Sequence, residues 1–132
     1  MWLVVFSPNN SLKNNGQCCV KLIYLQEIQF AKRVRVFVKK LPKTTGNIED
    51  GKQVIRSSGS VGANYIEANE ALSKKDFLMR IKISRKEAKE SAYFLRLIRE
   101  TNDSAFEEEA SNLHNEAVEL KKIFSAIINK SG

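Results

Sequence analysis

From about Tyr24 onward, apolar residues return at steps of three and four, the rhythm of an α-helix with one buried side. Phe30, Val34, Phe37, Val38 and Leu41 share that side, and Pro42 closes the segment because the residue before a proline is driven out of the helical region. Val34, Val36 and Val38 also alternate with Arg35 and Phe37, which is a strand pattern; the length of the periodic run decides for helix. A loop over 43–46 leads to Asn47, read as the cap of a second helix with Asp50 three residues on, running to about Leu72. Its apolar arc reads as Ile48, Ile55, Gly62, Tyr65 and Ile66, with Val54 and Ser58 beside it. Ser73 and Asp76 mark a third helix, whose seam of Phe77, Ile81, Ser84, Ala88, Ser91, Leu95 and Ile98 alternates steps of four and three. Ser104 and Glu107 form a capping box for a fourth helix, with Phe106, Ala110, Leu113, Ala117, Leu120, Phe124 and Ile127 in the same rhythm.

Two long heptad helices joined by a short polar turn pack as a hairpin, and the first two helices supply the remaining layer. The expected fold is therefore all-α, an antiparallel up-down-up-down four-helix bundle over residues 24–132. Ser7 to Gln17 is rich in Ser, Asn, Lys and Gly without any period, so residues 1–23 read as a poorly ordered N-terminal arm. A chain of 132 residues holds one domain, and 42% hydrophobic with 28% charged residues excludes a disordered or fibrous protein. The two cysteines, Cys18 and Cys19, are adjacent and offer no disulfide framework, which points to a reducing cytoplasm. No apolar run approaches the ~20 residues of a membrane span, and Met1 to Phe6 is too short for a secretory h-region, so no membrane partner is expected.

Catalysis has no visible machinery. A di-iron bundle needs Glu-x-x-His on two helices, and the residue three before the single histidine, His114, is Ser111. Glu67, Glu87 and Glu90 are paired carboxylates, but Arg56, Arg80, Lys86 and Lys89 surround them at helical spacing and make ion pairing the better account. Cys18, Cys19 and His114 are a weak metal constellation, and Gly59 and Gly62 lie inside a helix rather than in a phosphate loop. Neither enzyme activity nor a cofactor or metal is expected.

Two polar features stand out. Gln53, Arg56, Ser60, Asn64 and Glu67 follow one another at steps of 3, 4, 4 and 3 on one face of the second helix. An exposed face ordinarily favours long Lys and Glu, whereas short Ser60 and Asn64 with Gly59 and Ala63 beside them suit close approach and hydrogen bonding across a contact. This is read as a packed polar seam, within the bundle or between subunits, with plain solvent exposure as the competing account. Glycines inside a helix cost roughly 1 kcal/mol each relative to Ala, so Gly59 and Gly62 imply close approach of a neighbouring backbone.

Charge is the second feature. The net charge is +7, and residues 1 to 99 carry 19 Lys and Arg against 8 acids while residues 100 to 132 carry 3 against 7. Lys32, Arg35, Lys39 and Lys43 lie away from the apolar side of the first helix, and Lys75, Lys82, Lys86, Lys89 and Arg96 share a face of the third with Tyr93. A basic stripe with an aromatic suits a nucleic-acid backbone and a stacked base. Ile83, Phe94 and Leu97 sit on a flank away from the third helix's seam, an apolar surface that self-association would cover.

The run from Gln53 through Arg56, Ser60 and Asn64 to Glu67 and Ala68, followed by Ser73 to Phe77 and by Glu87 to Glu90, resembles the small bacterial four-helix bundle proteins encoded by intervening sequences of 23S rRNA genes. The likeness extends from about Phe30 to Ile98 and more loosely through the fourth helix. It implies an up-down-up-down bundle in a ring-like homo-oligomer, expected to be a pentamer, without enzymatic activity and associated with ribosomal RNA or ribosomes. A similar fold is that of the accessory variability protein of diversity-generating retroelements, a basic pentamer that binds nucleic acid and a reverse transcriptase. The expected partners are therefore further copies of the chain and structured RNA, with an adaptor role for a nucleic-acid enzyme such as a reverse transcriptase as the alternative. The family's polar signature falls on Gln53, Arg56, Ser60, Asn64 and Glu67.

Overall fold

A computed structural model of the chain describes residues 16–131. Among them are four long helices and no strand: α1 (Gly16–Lys40), α2 (Thr45–Asn69), α3 (Lys74–Glu100), a 3₁₀ turn (Ser104–Phe106) and α4 (Glu107–Ser131). α1 starts at Gly16 rather than near Tyr24, so residues 16–23 of the expected arm are helix, while residues 1–15 lie outside the described residues. Val20 and Ile23 pack against the core and the Tyr65 hydroxyl donates to the Val20 carbonyl at 3.4 Å, which draws the early turns of α1 into the fold. Over 34–38 the helix reading holds: Val34 and Phe37 are buried while Val36 is 55% exposed.

The helix ends show which side chains cap. Ser73 caps α3 as the sequence suggests, its hydroxyl accepting from the Asp76 N–H at 3.1 Å. At α2 the cap is Thr44, not Asn47: Thr44 is extended and its hydroxyl accepts from the Asn47 N–H at 3.1 Å. Asn47 is drawn inward instead, donating to the Pro42 carbonyl at 2.9 Å and pairing with the Asn102 amide at 2.8 Å, which ties two loops at one end of the molecule. α2 stops at Asn69, and Leu72 stands 94% exposed in the connection. The capping box expected at Ser104 gives way to the 3₁₀ turn, entered from Asp103 without a side-chain cap. Glu107, Glu108 and Glu109 then occupy the first turn of α4, where the helix dipole favours acids.

The seams read for α3 and α4 are the buried ones, with only Phe106 half-buried. α2 departs from its reading. Its buried stripe is Asn47, Gly51, Val54, Ser58, Val61, Tyr65 and Ala68, with Ser57 alongside, whereas Ile48 and Ile66 are exposed and Ile55 half-buried. Small polar residues at this stripe bring α2 and α3 close: Ser57 and Ser91 hydroxyls are 2.7 Å apart, and Ser84 donates to the Val61 carbonyl at 2.9 Å. These bonds satisfy hydroxyls that would be costly to bury unpaired.

Contacts between neighbours pair rising numbers on one helix with falling numbers on the next. Ser57, Val61 and Asn64 of α2 meet Ser91, Ser84 and Arg80 of α3, and Arg85 and Arg99 of α3 meet Ser125 and Ser111 of α4. Gln26 and Lys40 of α1 reach Glu116 and Glu109 of α4. α1 thus packs on α2 and α4, and α3 on the same two helices from the far side, forming a four-helix bundle. Over Gly51, Gly59 and Gly62 of α2 lie side chains of α1 rather than its backbone, and the tightest place is Gly51, where an added Cβ would stand 2.8 Å from Val38 Cγ1.

Candidate nucleic-acid interface

Lys75, Lys82, Lys89 and Arg96 recur every seven residues on α3, so they form a nearly straight row that rotates only slightly along the helix. Lys86 and Tyr93 form a second row beside it. All six are exposed and lie opposite the buried seam, and the stripe spans about 32 Å at 1.5 Å per residue. Lys75, Lys82, Lys86 and Lys89 make no ion pair among the described residues, while Arg96 is held by Glu100 at 2.8 Å and keeps that carboxyl below its usual range. Tyr93 is 59% exposed and its ring stands edge-on to Phe94, with centroids 5.2 Å apart. The arrangement offers a line of amines for phosphates and a supported aromatic face for a base.

The α1 cations are exposed too, but belong to another side of the molecule. Lys32, Arg35 and Lys39 lie opposite the α1 core face, and Lys43 lies in the loop that follows. Since α1 and α3 occupy opposite corners and each stripe faces away from its own core seam, the two cannot line one surface of a single subunit. Arg35 is also committed locally: it donates to the Ala31 carbonyl at 3.0 Å and its guanidinium lies over Gly59.

Of the polar stripe of α2, Arg56 and Asn64 reach α3 within the subunit, while Gln53, Arg56 and Glu67 are exposed. Arg56 spans Glu87, at 3.3 Å, and Glu90, and its Nε lies 3.5 Å from the Gln53 amide oxygen. The hydrogen bond to Glu87, more than the charges nearby, pushes the Arg56 pKa up. Asn64 accepts from Arg80 at 3.0 Å and donates to the Ser60 carbonyl one turn back at 2.9 Å. Ser60 and Asn64 are half-buried; Gln53 and Glu67 are exposed, and Glu67 has no ion pair among the described residues. Phe94 on the α3 flank packs against the core, while Ile83 and Leu97 are half-buried.

Sequence reading missed Glu27. It is 1% exposed on α1, neither carboxyl oxygen has a hydrogen-bond partner among the described residues, and burial pushes its pKa up to about 9. The signal was present: Glu27, Phe30, Val34, Phe37 and Leu41 step by 3, 4, 3 and 4, which puts an acid in the register of a buried stripe.

Fold and surface together define a basic four-helix bundle with an outward row of exposed basic side chains on its third helix. The model of the 23S rRNA-intervening sequence protein family matches residues 21–126, and the chain belongs to that family. Among solved structures it is similar to a protein of unknown function from the S23 ribosomal protein family of Bacteroides thetaiotaomicron, with a TM-score of 0.73 and 32% sequence identity. The match covers 83% of this chain and 97% of that one. No curated protein matches the chain. No helix among the described residues is long and apolar enough to cross a membrane.

Proposed function

We propose that this protein is a non-enzymatic, cytoplasmic, self-assembling bundle of up-down-up-down topology that holds structured RNA on the outer face of α3. Ribosomal RNA is the proposed target, in keeping with the family's name. The observation that carries the reading is the row Lys75, Lys82 and Lys89, without an ion pair among the described residues and flanked by exposed Tyr93. Amines on a regular helix address phosphates and carry little base readout, so recognition rests on RNA shape. The opposite ordering of contacts along each pair of packed helices supports the topology, and a ring of copies, proposed as a pentamer, would repeat the α3 row around its surface. Ultraviolet crosslinking in the cells that make the protein, followed by sequencing of the attached RNA, tests the target. Reads concentrated on a few structured segments of ribosomal RNA are expected. A protein partner that persists after nuclease treatment, with no crosslinked RNA, contradicts the reading and favours an adaptor.

A further inference from the structure

An outward-facing groove of about 260 Å³ runs between α1 and α2, lined by Tyr24, Glu27, Ile28, Gly59, Gly62 and Ile66. Its walls are apolar and open to solvent, Ile66 being 43% exposed, and exposed Ala63 adds another small side chain to the α2 wall. Small residues at one wall admit a helix, in the manner of helix-in-groove docking. The groove is not merely apolar, because Glu27 lies at its floor, 1% exposed and without a hydrogen-bond partner among the described residues, its Oε1 3.5 Å from where a Cβ on Gly62 would stand. A buried carboxyl lacking hydrogen bonds gains from any donor that enters, and an amine is the best donor for it.

The same chain has a second unpartnered surface, on the α2-facing flank of α3. Met79 is exposed, Ile83 and Leu97 are half-buried, and Lys86 borders them with no ion pair among the described residues. One surface is apolar and lacks a donor; the other is apolar and carries a free donor. They lie on different sides of the subunit, which is the arrangement that head-to-tail assembly requires, each copy offering one surface to the copy before and the other to the copy after.

We propose that the α1/α2 groove is filled by α3 of a second copy, with Ile83 against the apolar walls and Lys86 donating to Glu27. This rests on the self-assembly reading and names its interface. The outer row Lys75, Lys82, Lys89 and Arg96 stays clear of the contact.

Light scattering on size-exclusion fractions tests the pairing with two complementary variants. Ala63→Trp blocks the groove from an exposed position and leaves the α3 flank intact; Ile83→Asp spoils the flank and leaves the groove intact. The wild type is expected to run as a multimer and each variant as a single 15.0 kDa subunit with unchanged helical circular dichroism. Mixed in equal amounts, the two variants are expected to form a heterodimer and stop there, since one groove and one flank remain blocked. If Ala63→Trp loses helicity, Ala63→Arg replaces it. Variants that keep the wild-type mass, or a mixture that stays monomeric beside a multimeric wild type, overturn this interface while self-assembly stands. A wild type that is itself monomeric overturns both.

Discussion

Arg56 on α2 and Glu87 on α3 lie 3.3 Å apart across the seam between their helices, with the arginine half in solvent and the glutamate almost covered. That asymmetry decides what each mutation costs. Removing Arg56 strands a buried carboxylate, whereas the guanidinium left by removing Glu87 retains Glu90 and water.

Arg56→Ala is therefore expected to destabilise the subunit by about 1–3 kcal/mol, and Glu87→Gln by less. Urea unfolding of the two variants measures the difference. Equal losses would show that the pair acts only as a surface ion pair.

The glycines of α2 differ in what a methyl group would meet. At Gly62 the nearest atoms would be 3.5 Å away, ordinary contact, so Gly62→Ala should gain up to about 1 kcal/mol from helix propensity alone. At Gly51 a Cβ would meet Val38 Cγ1 at 2.8 Å, and a β-branched side chain in a helix has little rotamer freedom to yield. Gly51→Ala is expected to lose about 1 kcal/mol or more despite the propensity gain. Thermal unfolding of the dissociated subunit should give opposite signs for the two substitutions.

Glu27 makes stability depend on pH in a defined window. Its pKa is raised by burial from 4.5 to about 9 in the folded subunit, so between those values the folded state holds a proton that the unfolded chain has released. Its contribution is full below 4.5 and is lost as pH rises toward 9, by roughly 1.4 kcal/mol per pH unit. Glu27→Gln removes that titration. Measured on the dissociated subunit, the variant's advantage over wild type should grow from pH 5 to pH 8, reaching roughly 3 kcal/mol near pH 7. A difference that does not change with pH would mean the carboxyl is solvated in the folded protein.

The seams of α3 and α4 were legible because Phe, Leu and Ile mark most of their buried positions. α2 was misread in part: Tyr65, with Val54 and Ser58 beside it, is buried as expected, but the arc was centred on Ile48, Ile55 and Ile66, which stand next to a buried stripe that carries Asn47, Gly51 and Ser58. Hydropathy follows the isoleucines; packing follows the small side chains that let α3 approach. The basic residues were recovered as exposed because a lysine row opposite a heptad seam has only one place to go. That the α1 and α3 rows face apart is a property of helix order around the bundle, which no local pattern encodes. Glu27 escaped because the expected start of α1, near Tyr24, lay too close to show that an acid continued the apolar stripe.

The central claim, that the outer row of α3 holds RNA through its phosphates, is tested most directly by a salt titration of RNA binding. Each phosphate contact contributes a slope of about −0.7 to −0.9 to log K against log salt. Wild type is expected to bind structured ribosomal RNA with a slope near −3 or steeper, and Lys75→Glu/Lys82→Glu/Lys89→Glu, which leaves Lys86 in place, to lose about 2–3 of that slope together with most of the affinity. Equal affinity and equal slope in the triple variant would contradict the account.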